Sequence, residues 1–254
     1  MRIVRLALPG EPYGRVQDDT VHLLSGPPWL GGGPTGQLVP LDSGQLLAPV
    51  VPSKIVAIGR NYAAHAKELG HDVPSEPLLF LKAPSAIVGP GAPIRVPSVS
   101  ARVEHEAELA LVIGKRCKRV AEAQALEHVF GWTVLNDVTA RDLQKKDVQF
   151  TRSKSFDTFC PVGPWIETSL DVADVEVSAR VDGVVRQRGR TRNMIFPVPM
   201  LISYVSCMMT LEPGDVITTG TPEGVGPLVP GNVLETAVEG IGVLRNPIVA
   251  DDES

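Results

Sequence analysis

Glycine and proline punctuate this chain so densely that long helices have no room: 24 Gly and 23 Pro are spread over 254 residues. Glycine weakens helices and strands through its backbone entropy, and proline through its missing N–H. The chain is thereby cut into short pieces, which favours strands and loops. The apolar fraction of 43% makes it globular, and with aromatics at 5% the core must rely on Val, Leu, Ile and Ala. Residues 1–48 read as a small N-terminal β-module. It has two or three short strands in residues 1–25, turns at Pro9-Gly10 and Gln17-Asp18-Asp19, and a loop or linker from Ser25 to Gly36. In residues 49–254 the pattern predicts a strand over Lys54–Ile58, a short helix over Asn61–Leu69 stopped by Gly70, and a buried apolar run at Leu78–Leu81. A strand over Glu104–Gly114, a helix over Ala121–Val129 and a strand over Gly131–Leu135 follow. Beyond Thr168 the strands are Val175–Val181, Val216–Thr219 and Val233–Val238, with one helix near Val198–Met209. Asp182-Gly183 signals a hairpin. The sum is a strand-rich, mixed α+β fold.

The net charge of −5 and a pI near 5.6 argue against a nucleic-acid partner. The basic clusters at Lys115–Lys118 and Arg186–Arg192 read as solvated turns and strand edges, without the aromatics that single-stranded nucleic acid stacks on. No run approaches 18 apolar residues, so no membrane span is expected. Cys117, Cys160 and Cys207 are far apart and odd in number, which is neither a disulfide framework nor a zinc pattern and fits a reducing cytoplasm.

The chemistry concentrates in Val103-Glu-His-Glu-Ala-Glu-Leu-Ala-Leu-Val-Ile-Gly114. Side chains alternate along a strand, so Glu104, Glu106 and Glu108 share a face that continues through Ala110 and Val112 into the core. Like charges so close either sit in water, as on an edge strand that repels partners, or have something positive between them. Asp137 ends a second apolar strand, Thr133-Val-Leu-Asn-Asp137, and is placed to join Glu106 and Glu108. Three carboxylates without Cys or His ligands suit a hard cation: Mg²⁺ or Mn²⁺, with Ca²⁺ less suited to so few ligands. On the helix at 61–69, His65 and Glu68 share a face, as either a surface pair or an oriented base.

Six segments then line up in order. They are Ile58-Gly-Arg-Asn-Tyr-Ala-Ala-His-Ala-Lys-Glu68, Pro77-Leu-Leu-Phe-Leu-Lys82, Glu104-His-Glu-Ala-Glu-Leu109, Asn136-Asp-Val-Thr-Ala-Arg-Asp142, Lys154-Ser-Phe-Asp-Thr-Phe-Cys-Pro-Val-Gly-Pro164 and Thr219-Gly-Thr-Pro-Glu-Gly-Val-Gly226. Together they resemble the fumarylacetoacetate hydrolase family in its short bacterial form. The resemblance implies a mixed β-sandwich roll over residues 49–254, commonly a homodimer, with Mg²⁺ or Mn²⁺ on Glu106, Glu108 and Asp137. It implies a His65–Glu68 pair that activates water and a Lys154 that stabilises developing negative charge. Arg141, Gln144 and Gln187 are implied substrate contacts, and the turn-rich loop with Thr221 an anion cradle for a substrate carboxylate. The family often has Asp-Tyr where this chain has Glu104-His105, a difference expected at the pocket rim. The implied substrates are small 2-oxo acids or their enols. The implied outcomes are carbon–carbon hydrolysis of an acylpyruvate, isomerisation of 2-hydroxyhepta-2,4-diene-1,7-dioate in aromatic-compound breakdown, or decarboxylation of an oxaloacetate-type diacid. A metal-stabilised binding module without turnover is the alternative, disfavoured by His65, Glu68 and Lys154.

Overall fold

The computed structural model describes residues 1–41 and 46–251. The first strands are β1 (Arg2–Leu6), β2 (Tyr13–Gln17), β3 (Thr20–Leu24), β4 (Pro34–Pro40) and β5 (Leu46–Leu47). They are followed by β6 (Ile55–Gly59), helix α1 (Ala63–Glu68), β7 (Leu78–Lys82), β8 (Ile87–Val88), β9 (Ile94–Val96), β10 (Val103–His105), β11 (Ala107–Ile113), β12 (Val129–Asn136) and β13 (Thr139–Ala140). Helices α2 (Arg141–Lys146) and α3 (Thr151–Lys154) precede β14 (Cys160–Glu167), β15 (Glu176–Val181) and β16 (Val184–Arg190). Helix α4 (Val198–Met208), β17 (Val216–Thr218), β18 (Gly226–Pro227), β19 (Val233–Val238) and β20 (Gly242–Ala250) complete the order.

One large sheet runs β4-β3-β2-β1-β14-β12-β11-β17-β6-β7, with β5 on β1 and β8 on β14. Residues 1–41 therefore extend the main sheet, because β1 pairs antiparallel with β14. A second sheet, β16-β15-β19-β20-β9, packs its β15 and β19 against β11 and β12. The strand β11 shows why the layers hold. Its residues Leu109, Leu111 and Ile113 enter the core shared with Val177, Ala179, Leu234 and Leu244 of the second sheet. Ala110 and Val112 enter a separate core on the other face with Ile3, Leu135, Val162 and Val216. A strand buried on both faces reads as a nearly continuous apolar run, which β11 keeps from Leu109 to Ile113 with Glu108 as its one charged residue, and truncating one such Leu to Ala costs ~2–5 kcal/mol. The hairpin at Asp182-Gly183 forms as its dipeptide predicts, with both residues at positive φ (51° and 78°).

Four expectations are corrected. The strand over Glu104–Gly114 is interrupted at Glu106, which divides β10 from β11. The run Leu78–Leu81 is not buried, since β7 is the edge of its sheet and leaves Leu81 exposed, and the buried residue of the strand is Lys82. Between Ser25 and Gly36 the chain makes a 3₁₀ turn at Pro28–Leu30 and begins β4 at Pro34. The helix expected at Ala121–Val129 is a seven-residue 3₁₀ segment, Glu122–His128.

Candidate metal and active site

The interruption at Glu106 builds the site. The Glu106 N–H donates to the Asn136 side-chain oxygen (3.0 Å), and the Asp137 N–H donates to the Glu106 carbonyl (2.8 Å). The ends of β10, β11 and β12 are laced together at one point, so the carboxylates from two strands converge. Ligand oxygens of Glu106, Glu108 and Asp137 lie within 4.8 Å of one another, and all three residues are buried.

Buried like charges demand compensation, and three cations supply it. Arg141, the first residue of α2, donates from Nε to Glu104 (2.6 Å) and from Nη2 to Glu106 (2.5 Å). Lys154, the last residue of α3, donates to Glu106 (2.8 Å) and Asp137 (2.6 Å). Lys82, at the end of β7, donates to Asp137 (2.6 Å) and to the Lys154 carbonyl (2.5 Å). Sequence reasoning assigned no role to Lys82. Its signal was available as a lysine ending an apolar strand, where an unpaired charge would be costly.

The match leaves one carboxylate over. Glu104, Glu106 and Asp137 each have a cationic partner, whereas among the described residues Glu108 accepts only the Thr218 hydroxyl and the Gly220 N–H (2.8 Å). Burial first, then Asp137 and Glu106, push the Glu108 carboxyl well above the usual range. Burial also works against ionised Glu106, but Lys154 and Arg141 override it and hold that carboxyl below the usual range. Lys154 is lowered by burial and raised more strongly by Asp137 and Glu106, so it stays a firm ammonium. An all-oxygen trio with one uncompensated buried charge fits a divalent cation, because a hard ion takes carboxylate ligands and cancels their repulsion.

A cavity of about 320 Å³ opens onto these carboxylates. His65, Arg141, Gln144, Lys154 and Thr221 line it, so most of the expected site residues come together. The His65 Nδ1 faces the Glu68 carboxylate at 3.2 Å. A carboxylate can only accept, so Nδ1 carries the hydrogen and Nε2 presents its lone pair. Glu68 is fixed in turn by the Gly224 N–H at 3.0 and 3.2 Å. Gln144 gives its carbonyl oxygen to Arg141 (2.6 Å), leaving its NH₂ to donate elsewhere.

Gln187 and Thr221 are placed differently from a simple substrate contact. Gln187 is fully buried and is not on the cavity wall. Its oxygen accepts from His105 Nδ1 (2.8 Å) and the Ala107 N–H (2.9 Å), and its nitrogen donates to Thr221 Oγ1 (2.8 Å) and the Pro222 carbonyl (2.7 Å). Thr221 spends its hydroxyl hydrogen on the Ala107 carbonyl (2.8 Å). Among the described residues its backbone N–H has no acceptor, and that is the donor it can offer a guest. His105 corrects another expectation. It is not on this cavity's wall, because it alternates away from Glu106, and its Nε2 is buried without a partner. The residues that sequence reasoning missed on the wall are Arg60, His71 and Lys145, with Phe80 and Phe150 as an edge-to-face pair.

Comparison with known proteins agrees with this geometry. Residues 54–249 match the family model described as fumarylacetoacetate (FAA) hydrolase C-terminal, and residues 1–49 match one described as Rv2993c-like, N-terminal. Protein Rv2993c of Mycobacterium tuberculosis is 50% identical over 218 residues, covering 85% of this chain and 82% of that one. The oxaloacetate tautomerase FAHD1 of Bos taurus, a mitochondrial protein, is 45% identical over 193 residues, covering 74% and 87%. The crystal structure of a 5-carboxymethyl-2-hydroxymuconate delta-isomerase from Mycobacterium smegmatis superposes with a TM-score of 0.93 at 46% identity, over 99% of this chain and all of that one. No helix among the described residues is long and apolar enough to cross a membrane. By its sequence match, its fold and its paired strand-end carboxylates, the chain belongs to the fumarylacetoacetate hydrolase family.

Proposed function

We propose that this protein moves a proton at the carbon beside the carbonyl of a small 2-oxo acid, interconverting keto and enol (or dienol) forms. The observation that carries the reading is His65: a buried imidazole on the wall of the carboxylate-lined cavity, with Nδ1 committed to Glu68 and Nε2 left as a base. Glu106, Glu108 and Asp137 would hold a divalent cation, which would supply Lewis-acid polarisation of a bound 2-oxo acid. His65 takes the proton and returns it at another position, and Glu68 stabilises the imidazolium formed in between. The Lys154 ammonium and the Arg141 guanidinium offset the negative charge that develops as the proton leaves. The relatives named a tautomerase and a delta-isomerase bear names that describe this class of proton shift. Hydrolysis of an acylpyruvate and decarboxylation of an oxaloacetate-type diacid begin at the same cavity, and a substrate panel separates them.

The test is solvent deuterium exchange at C3 of 2-oxo acids with Mg²⁺ or Mn²⁺, followed by proton NMR. Wild type exchanges the C3 protons; His65→Ala loses exchange by at least about 100-fold, the scale of a general base, while keeping its metal-dependent rise in Tm. Undiminished exchange in His65→Ala sinks the assignment.

A further inference from the structure

Arg60 stands out among the cations of the cavity. It lies between β6 and α1 and lines the same wall as His65. Among the described residues it has no acidic partner, and no ion pair or side-chain hydrogen bond involves it. By contrast Arg141, Lys154 and Lys82 are spoken for, being bonded to Glu104, Glu106 or Asp137. Its backbone is left-handed, at φ 57°, a conformation that a side chain makes unfavourable and that glycine would relieve. Asn61 beside it accounts for the bend, being locked to Phe196 and Thr219 by three hydrogen bonds of 2.8–3.1 Å. It does not account for a long cation in place of glycine. The charge is felt locally, because after burial it is the Arg60 field that lowers the His71 imidazole on the same wall.

An unpaired guanidinium in a cleft wants a carboxylate or phosphate, which it binds with a fork of two donors. Resting on the reading that a 2-oxo acid occupies the cavity, we propose that Arg60 binds the distal carboxylate of a 2-oxo dicarboxylate and so makes the enzyme selective for diacids over monoacids of the same length. The 2-oxo end lies toward Glu106, Glu108 and Asp137, and the far end toward Arg60, with Lys145 on the wall a second cation that has no partner among the described residues. Phe80 and Phe150 flank the space between with apolar surface that suits a short carbon chain.

The test compares 2-oxoglutarate with 2-oxopentanoate, which differ only in a terminal carboxylate, by calorimetric titration with Mg²⁺ present. Wild type binds the diacid at least tenfold more tightly. Arg60→Gln and Arg60→Gly abolish that preference by weakening the diacid alone, and Arg60→Lys restores part of it. Arg60→Gly, which relieves the left-handed backbone, does so without lowering Tm, so loss of the preference is not loss of fold. Equal affinities in wild type, or equal weakening of both acids by Arg60→Gln, overturn the distal-carboxylate role and leave the proton-transfer reading standing. Failure of both acids to bind wild type overturns both.

Discussion

At the scale of single residues, two neighbouring glutamates in one cluster are under opposite electrostatic pressure. Glu106 is held by Lys154 at 2.8 Å and Arg141 at 2.5 Å, so its negative charge is already answered. Glu108 has a hydroxyl and an amide but no cation. Substituting each by its neutral isostere should therefore change the metal-free protein in opposite directions. Glu106→Gln leaves Lys154 and Arg141 short of a partner in the interior and is expected to cost ~3–5 kcal/mol. Glu108→Gln removes a repelling charge and is expected to add on the order of 1 kcal/mol, a rise of roughly 2–4 °C in Tm for a chain of this size. Both should lose the Tm increase that Mg²⁺ or Mn²⁺ gives wild type, which follows from mass action on a folded-state site. Thermal melts with chelator and with each metal read all four quantities. A full metal shift in Glu108→Gln would remove that residue from the ligand set.

At the scale of elements, the site depends on where strands stop. The alternation that places Glu106 and Glu108 was legible in the sequence, and so were β6, α1, β15, α4 and the hairpin, because each is written in a local period or turn dipeptide. The break between β10 and β11 was not, since it is made by Asn136 and Asp137 from the neighbouring strand, far away in sequence. The same holds for β7. Its apolar run reads as buried, but its rank at the sheet edge is a property of topology, and only topology carries Lys82 under Asp137. Glu104 shows the other side of this limit: it shares the acidic face, and its partner Arg141 comes from α2. These facts make β7 a structural support as well as an edge. Lys82→Met keeps the length of the stem but strips Asp137 of one cation and the Lys154 carbonyl of one donor. The expected loss is ~3–5 kcal/mol, the usual cost of breaking a buried pair from one side. It should show as a lower urea midpoint with unchanged slope. An unchanged midpoint would mean that Lys82 does not hold Asp137 in place.

At the scale of the whole molecule, the three cysteines sample three depths, and their reactivity should report on how the layers and the site are coupled. Cys207 lies exposed on α4, while Cys117 and Cys160 are buried. Cys160 begins β14 in the large sheet and sits beneath the site, close enough that its thiol is influenced by Lys82, Asp137 and Glu108. Burial, outweighing Lys82, pushes that thiol up to about 12. The thiolate is the reactive form, so native Cys160 should be inert near neutral pH, and labelling must wait for an opening of the fold. One thiol should react at once with a chromogenic disulfide reagent in the native state, and all three after denaturation. The slow phase then becomes a measure of site occupancy. A cation bound to Glu106, Glu108 and Asp137 favours the closed state by RT ln(1 + [L]/Kd), so a hundredfold excess over Kd should slow Cys160 labelling by about 100-fold. The same metal should leave the rate at Cys207 unchanged, since α4 lends no residue to the trio. In Glu108→Gln the metal should no longer protect Cys160. Protection that persists in that variant, or rapid labelling of Cys160 in metal-free wild type, would break the link between the carboxylate trio and the closing of the sheet above it.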